Sequence, residues 1–508
     1  MPTTAEPPAP SETEESSQAR WWRTPLLVLV LFAAMFAFFL VRARLTRKER
    51  ASQACFQATF SRRLDPALEA LSKYREFAEE DIPAAVKDEL FKLAGNADYP
   101  LYSRQADKYF LERVVFFSRT SDHALARAKN LGSPVLSVFD YVVRNLQPGV
   151  ERPETKGLVV APLHVLCRGY GEAVECAWVM AALLRAAGSG GHAAVVWLPR
   201  PAKGEPYCIV GALSDGRLYL FDPYRAVPIC RAGDGRIADL QALLSGEQVM
   251  DPLFGGPGTP VTLDGLRSAT YFVPAHAGNV LPDAWLLSEI LRENGRHEVI
   301  YRSFRDDLRN VAAAVFGDRA QVKDGFTRLT AKGRSEAVDL WPVPFKVDQR
   351  LAKTPGYYDK VTQAHRAAAA YLVARQAQLF GEYEAAVSLY NDVLQRHADD
   401  AEVVEDVTFF KALAAPKVSD RAQGLAGYLK DYPAGRWRPP ATLRLAEIEA
   451  RRGDKDAALA LIARLKPPYD LRAKLLKLAI SKGKAQIRWR FPETTAPPPK
   501  DKPPNPPR

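Results

Sequence analysis

The chain has 508 residues, 47% hydrophobic and 25% charged, which is typical of globular protein and too polar for a protein with many membrane spans. We expect the net charge of +11 to be spread along the chain. Outside the flank of one apolar segment there is no dense Lys/Arg block interleaved with aromatic residues, so nucleic acid is not an expected partner. Five cysteines without a CxxC pair argue against a disulfide framework or a structural zinc site.

The N-terminal segment predicts a membrane anchor. Residues 1–24 are rich in Pro, Thr, Ser and Glu and are expected to be disordered. The apolar run 25–41 would span about 26 Å as a helix, against a hydrocarbon core of about 30 Å. Trp21 and Trp22 lie where an interfacial aromatic belt would lie, and Arg42 follows the run. A buried core helix or a cleaved signal peptide is the alternative, but the run is long for a signal peptide and a poor cleavage site follows it.

The charges around this run indicate its orientation. Two arginines precede it and five basic residues follow it by position 50. The positive-inside rule therefore predicts a single-pass cell-membrane protein whose soluble region is cytoplasmic. Unpaired cysteines agree with a reducing compartment. Large domains also translocate despite flanking charge, so both orientations stay open.

The soluble region divides by pattern. Residues 51–132 are predicted to be helical, and the aromatic and charged stretch 99–119 is interpreted as a helix packing on the next domain, with a recognition surface as the alternative. Residues 133–260 contain an apolar helix at 171–188 followed by apolar runs on both sides of the turn dipeptide Asp215-Gly216. A helix followed by antiparallel strands predicts an α+β domain.

The C-terminal part begins with a mixed connecting region at 261–364 and continues with helical repeats at 365–475. Two stretches, 370–400 and 442–468, each contain an apolar helix, a Gly-acid-x-x-x-Ala motif and a second apolar helix, with room for a third unit between them. These units resemble tetratricopeptide repeats, on the matching residues Ala374, Gly381, Tyr383, Ala386 and Tyr390. The resemblance implies binding of peptides or partner proteins along a concave face. The Pro- and Lys-rich tail 491–508 is expected to be disordered.

A second resemblance concerns a possible catalytic site. A pattern of glycine, acid, alanine, Leu-Leu-Arg and glycine is formed by Gly171, Glu175, Ala177, Leu183, Leu184, Arg185 and Gly188, and a strand ending in Asp222 follows it. Residues 133–230 thereby resemble the papain-like core of the transglutaminase-like family. The resemblance implies a cysteine nucleophile at the start of the helix, a histidine base and an aspartate.

The sequence departs from that triad at two of its three positions. The nucleophile position is Ala173 and the histidine position is Tyr207, so only Asp222 matches. Losing a nucleophile from such a unit typically removes about a millionfold in rate. We expect no catalysis, and we expect the Tyr207 hydroxyl to donate to Asp222 in place of the histidine.

Cys176, one helical turn beyond Ala173, is the fallback nucleophile, with His164 or His192 as its base. The simpler interpretation is that Cys176 and the other four cysteines are small hydrophobic residues in the core. The seven histidines form no ligand pair, so we expect no metal and no cofactor.

Three functions follow for testing. The first is a membrane-anchored, non-catalytic binding or scaffold protein, a pseudoenzyme with repeats that bind proteins or peptides. The second is a transglutaminase-like cysteine peptidase or acyltransferase that uses Cys176. The third is a structural component of an envelope or secretion assembly in which the repeats do all the binding.

Overall fold

The computed structural model describes residues 108–126, 131–148, 162–187, 192–199, 207–255, 259–273, 304–317, 327–329, 335–337, 369–484 and 489–491. All of these lie in one compact unit, Thr59–Arg508. The predicted anchor at 25–41 and the predicted disordered N-terminal tail lie outside the described residues. Within the ranges above, no helix is long and apolar enough to cross a membrane.

Among the residues that the structure describes, four helices precede the sheet. They are α1 (Lys108–Leu125), α2 (Pro134–Asn145), α3 (Pro162–Arg168) and α4 (Ala173–Ala186). The side chain of Ser133 caps α2 by accepting a hydrogen bond from the Val135 amide at 3.2 Å, and Pro134 occupies the first helical position. Helix α1 contacts α2 and α4, which confirms the predicted packing of the 99–119 stretch for its described part. Gly188, the expected end of α4, lies outside the described residues.

One antiparallel sheet follows, and its strand order is β4-β3-β2-β1-β5-β6-β7 among the described residues. The strands are β1 (Ala193–Leu198), β2 (Tyr207–Ser214), β3 (Arg217–Asp222), β4 (Val227–Pro228), β5 (Thr270–Phe272), β6 (Thr327–Leu329) and β7 (Ser335–Ala337). Asp215 and Gly216 connect β2 to β3 with φ of +51° and +73°, the left-handed pair that a two-residue hairpin turn requires. The predicted hairpin is therefore confirmed.

Helices cover both faces of this sheet. On one face lie α5 (Leu240–Ser245), α6 (Leu263–Arg267) and α7 (Phe304–Phe316), whose apolar side chains form one buried cluster with alternate residues of β1, β2 and β3. On the other face lie α2 and α4, where the ring of Phe139 packs 5.1 Å from that of Phe221. Strands β5 to β7 come from the region 261–364, so the sheet continues beyond residue 260.

The C-terminal array contains three helical hairpins and a further helix. Its helices are α8 (Ala369–Leu379), α9 (Tyr383–Arg396), α10 (Ala401–Ala414), α11 (Val418–Asp431), α12 (Arg438–Arg452), α13 (Lys455–Ile462) and α14 (Asp470–Ser481). The two helices of each hairpin pack on one another, and α9 packs on α10 as α11 packs on α12. The chain is thus α+β with a C-terminal helical array.

The repeat motif residues have two different roles in this array. Ala386 and Ala458 are fully buried, as close packing of the paired helices predicts. Gly381 and Gly453 both adopt a left-handed conformation, with φ of +82° and +90°, at the turn inside a hairpin. Small residues in such a repeat motif predict close helix–helix contacts at both glycines, and this is wrong for Gly453, because a Cβ added there would meet no atom within 4 Å. Its role is the turn alone.

Candidate functional site

The N-terminus of α4 is fixed by a buried ion pair. Ala173 is the first residue of α4 and is half-buried. The Glu175 carboxylate accepts from the Glu172 amide at 2.9 Å and, inside the protein, from the guanidinium of Arg168. A Cβ on Gly171 would lie 3.2 Å from Cβ of Glu175, so a larger residue would push this carboxylate away. Two of the motif residues, Gly171 and Glu175, thus hold the start of the helix in place.

Tyr207 and Asp222 meet at the neighbouring end of the sheet. Tyr207 begins β2 and Asp222 ends β3, and antiparallel pairing of these strands brings them together. The Tyr207 hydroxyl donates to Oδ1 and Oδ2 of Asp222, at 3.0 and 2.8 Å. The Arg225 amide donates to Oδ1 at 2.9 Å. The expected hydrogen bond between Tyr207 and Asp222 is confirmed.

Burial controls the protonation of this pair. Asp222 has no exposed surface, and burial raises its pKa to about 6 against the opposing effect of the Arg225 amide. Burial and the adjacent Asp222 carboxylate raise the pKa of Tyr207 well above its usual value. Tyr207 therefore acts as a hydrogen-bond donor near neutral pH and supplies no base.

Two of the three triad positions share one hydrophobic environment. Tyr207 belongs to the buried cluster on the α5–α7 face of the sheet, and Ala173 packs against that cluster. Alanine offers no atom that attacks or ionises, so the position at the helix N-terminus is apolar. The arrangement keeps an aspartate and a hydroxyl donor beside a helix N-terminus and lacks both a thiolate and an imidazole among these positions.

Cys176 lies inside the protein rather than at an accessible surface. Its exposed fraction is 1%, and its thiol donates to the Gly171 carbonyl with a sulfur–oxygen distance of 3.5 Å. Burial first, and then the carboxylates of Glu175 and Glu172, raise the pKa of this thiol well above its usual value. The reactive thiolate form is therefore strongly disfavoured.

The two histidines considered as bases lie in different parts of the structure. His192 Nδ1 lies 2.6 Å from Oδ1 of Asp307. The other carboxylate oxygen of Asp307, Oδ2, accepts from Arg185 at 3.0 Å. His192 precedes β1, whose last residue, Leu198, pairs with Tyr207. The six residues of β1 place His192 and Leu198 about 20 Å apart. His192 therefore sits at the opposite end of the sheet from Tyr207, where it cannot serve Cys176, and His164 lies half-buried in α3.

The other described cysteines are buried side chains. Burial raises the pKa of Cys167 and of Cys208 to about 12, and raises that of Cys230 further. All are free thiols. They fill core positions, as the simpler interpretation predicts, while Cys55 lies outside the described residues. No group of three His, Cys, Asp or Glu side chains arranged to hold a metal ion is found in the part of the chain that the structure describes.

The inner face of the array contacts this chain's own helices. Arg375 of α8 donates to the Asn145 carbonyl at 2.8 Å, and Arg444 of α12 donates to the Val143 carbonyl at 2.7 Å. These are carbonyls at the C-terminal end of α2, which no residue within the helix can satisfy. Phe410 of α10 lies directly against Gly169, where any Cβ would clash with its ring. The first helix of every hairpin therefore faces α2 and α3.

The last helix of the array reaches the sheet. Leu471 and Leu475 of α14 belong to the same buried cluster as Tyr207. Tyr469, just before α14, is buried and donates to the Pro148 carbonyl at 2.8 Å. Sequence reasoning missed Tyr469 and the Arg168 partner of Glu175. Only Arg168 had a signal, as a basic residue three positions before Gly171; the structure places it at the end of α3.

Comparison with models of protein families, with curated proteins and with solved structures finds no match to this chain. Membership of the transglutaminase-like family and of the tetratricopeptide-repeat class is therefore carried forward as a proposal based on the motif residues and their geometry.

Proposed function

We propose that this chain is a membrane-tethered, non-catalytic binding or scaffold protein, in which a degenerate transglutaminase-like domain is joined to a tetratricopeptide-like array. The observation that carries this proposal is the hydrogen bond from Tyr207 to the buried Asp222 beside an apolar Ala173. The pair satisfies its own polar atoms inside the protein, as a structural hydrogen bond does. An active cysteine site instead needs an accessible nucleophile with a base in reach.

The environment of Cys176 argues against the enzyme alternative. A thiol that is buried, hydrogen-bonded to a carbonyl and surrounded by carboxylates has its thiolate destabilised by each of these neighbours. The distant His192 is already engaged by Asp307. Peptide cleavage or acyl transfer at Cys176 therefore lacks an accessible nucleophile, and His192 is too distant to serve as its base.

The contacts of the array indicate where a partner would bind. Its inner face holds α2 and α3, so the concave-face binding that the repeat resemblance implies is taken up by the chain itself. The second helices of the hairpins lie outside this contact and carry exposed side chains such as Glu384, Gln423 and Lys430. We place the partner-binding surface on α9 and α11.

Catalysis is tested with the purified full-length chain in mild detergent. We expect no amine incorporation, no deamidation and no peptide cleavage, while an active transglutaminase assayed in parallel shows that the assays work. A wild-type activity that disappears in Cys176→Ala would overturn the proposal and favour the enzyme.

Partner binding is tested by photocrosslinking in cells. A photoreactive amino acid at Gln423, on the outer helix α11, should yield a discrete protein adduct. The same amino acid at Val249, which is exposed on the sheet domain, is the control. Adducts from Val249 alone, or from neither position, would contradict a partner surface on the outer helices.

A further inference from the structure

The positive charge of this protein is concentrated at its C-terminal end. After residue 450 there are fifteen lysines and arginines against five acidic residues, a net charge of +10 out of +11 for the whole chain. The expectation that the excess is spread along the chain is therefore wrong. The residues that precede position 451 carry the remaining +1 and are therefore close to neutral in sum.

The structure exposes the charges of one continuous segment. Within 464–484, six basic side chains are exposed: Arg464, Lys466, Lys474, Lys477, Lys482 and Lys484. We call these six residues, together with Leu478, the α14 basic face. Only Lys474 among the six forms an ion pair within the described part of the chain, with Asp470 at 3.5 Å, and that pair is itself exposed. The other five charges face solvent without an acidic partner there.

Helix α14 has a buried apolar side and an exposed side that carries lysines. Its buried side contains Leu471 and Leu475, which anchor it to the sheet cluster. Lys474, Lys477 and Leu478 follow the three- and four-residue spacing of one helical face on the opposite side. Leu478 is 45% exposed and is one of few large hydrophobic side chains exposed in the described residues. A cluster of lysines on an exposed helix face is typical of a surface that binds anionic lipid headgroups.

We propose that the α14 basic face lies against the anionic surface of the membrane, with Leu478 entering the headgroup boundary and the lysines contacting lipid phosphates and carboxylates. This inference rests on the proposed membrane tether, because a tethered chain searches only the adjacent lipid surface. Nucleic acid fits less well, since no exposed aromatic side chain lies on this face to stack a base. Lysines also bind phosphates as point charges and need no defined geometry.

The proposal predicts that lipid charge protects these lysines. The full-length chain is incorporated into nanodiscs of phosphatidylcholine, with or without phosphatidylserine, and its lysines are acetylated and quantified by mass spectrometry. Lys474, Lys477, Lys482 and Lys484 should react about fivefold more slowly in the anionic discs, the factor expected for one charge near such a surface. The exposed Lys417 and Lys430 of α11 are the internal controls and should react equally in both.

Variants test whether the protection from acetylation depends on the α14 basic face. Lys474→Gln with Lys477→Gln and Leu478→Ser should remove the protection of Lys482 and Lys484, whereas Lys417→Gln with Lys430→Gln should leave it intact. High salt should abolish it. Equal acetylation in neutral and anionic discs, or protection by added RNA in place of anionic lipid, would overturn the inference.

Different outcomes contradict the proposed membrane tether and the proposed contact of the α14 basic face with lipid. A chain that does not enter neutral discs contradicts the tether. The same lysines are then measured with anionic vesicles added to the chain in solution, where protection supports the inference and equal reactivity overturns it.

Discussion

The Tyr207 hydroxyl donates to both carboxylate oxygens of Asp222, and this contact joins the first residue of β2 to the last residue of β3. A histidine at the Tyr207 position would supply both a hydrogen bond and a base. Tyrosine supplies the first without the second, because burial and the carboxylate both hold its proton. Tyr207 therefore provides a structural hydrogen bond but no group that accepts a proton near neutral pH.

Tyr207→Phe should destabilise the fold in a pH-dependent way. The variant leaves the buried Asp222 carboxylate with fewer donors, and we expect a loss of about 1–3 kcal/mol near pH 8. Below pH 6 the loss should shrink, because Asp222 has a pKa of about 6 and is increasingly neutral there. Denaturant unfolding of the full-length chain at pH 8 and pH 5 measures both values. Tyr271→Phe, which removes a hydrogen bond to a neutral carbonyl, is the matched control and should show no such pH dependence.

The same carboxyl group affects the stability of the wild type directly. Its pKa is raised on folding, so the native state binds more protons than the unfolded state between pH 4 and pH 6. Stability contributed by Asp222 is therefore present at low pH and falls as pH rises through that window, by about 3 kcal/mol. Asp222→Asn removes this pH-dependent contribution. The free energy of unfolding of the variant minus that of the wild type should therefore rise from pH 4 to pH 6. A pH-independent difference would contradict it.

Ala173→Cys should create an accessible thiol, whereas the four native cysteines that the structure describes are buried. Ala173 is half-buried at the first position of α4, whose N-terminus stabilises a thiolate. We expect one additional, faster reaction with iodoacetamide at neutral pH, followed by mass spectrometry of the labelled peptide. Ala173→Cys with Tyr207→His should react faster still, and Tyr207→His alone should not. Equal rates for the single and double variants would argue against the proposed triad register.

Ala386→Leu should destabilise the array. Ala386 has no exposed surface between α8 and α9, and overpacking such a site typically costs about 1–3 kcal/mol. Ala426→Leu, at an exposed position of α11, is the control and should change stability by less than about 0.5 kcal/mol. The full-length chain is required, because the inner face of the array is buried against α2 and α3. Unchanged thermal unfolding of Ala386→Leu would count against the hairpin packing.

Glu447→Gln should loosen the attachment of α14. The Glu447 carboxylate binds Arg472 at 2.7 Å and Arg444 at 2.9 Å, and these arginines outweigh burial and lower its pKa to about 2. Removing one partner of a buried pair costs about 3–5 kcal/mol. The cost should be full above pH 4.5 and should fall as pH decreases towards 2, since the pKa is depressed on folding. Urea unfolding measures it.

Glu449→Gln is the matched control for that prediction. It lies on the same helix and pairs with an exposed arginine, Arg452, at 3.0 Å. Exposed pairs contribute at most about 1 kcal/mol. An equal loss in both variants would mean that the Glu447 cluster does not couple α12 to α14.

The sequence by itself determined the local features of this protein. Hydrophobic patterning predicted α4 and the helical hairpins, and the dipeptide Asp215-Gly216 predicted the β2–β3 turn, because each depends on residues a few positions apart. The absence of a nucleophile at Ala173 and the contact of Tyr207 with Asp222 were also predictable, since motif spacing places those residues.

Only the tertiary structure decided which distant surfaces meet. Arg375 and Arg444 satisfy the carbonyl end of α2 from positions more than two hundred residues away, and β5 joins β1 from beyond the predicted domain boundary. The sequence showed that the array has an apolar inner face but not that this chain's own helices fill it. Helix periodicity identifies a face that must be buried, whereas its partner depends on long-range packing and on the satisfaction of buried polar groups, which no local spacing encodes.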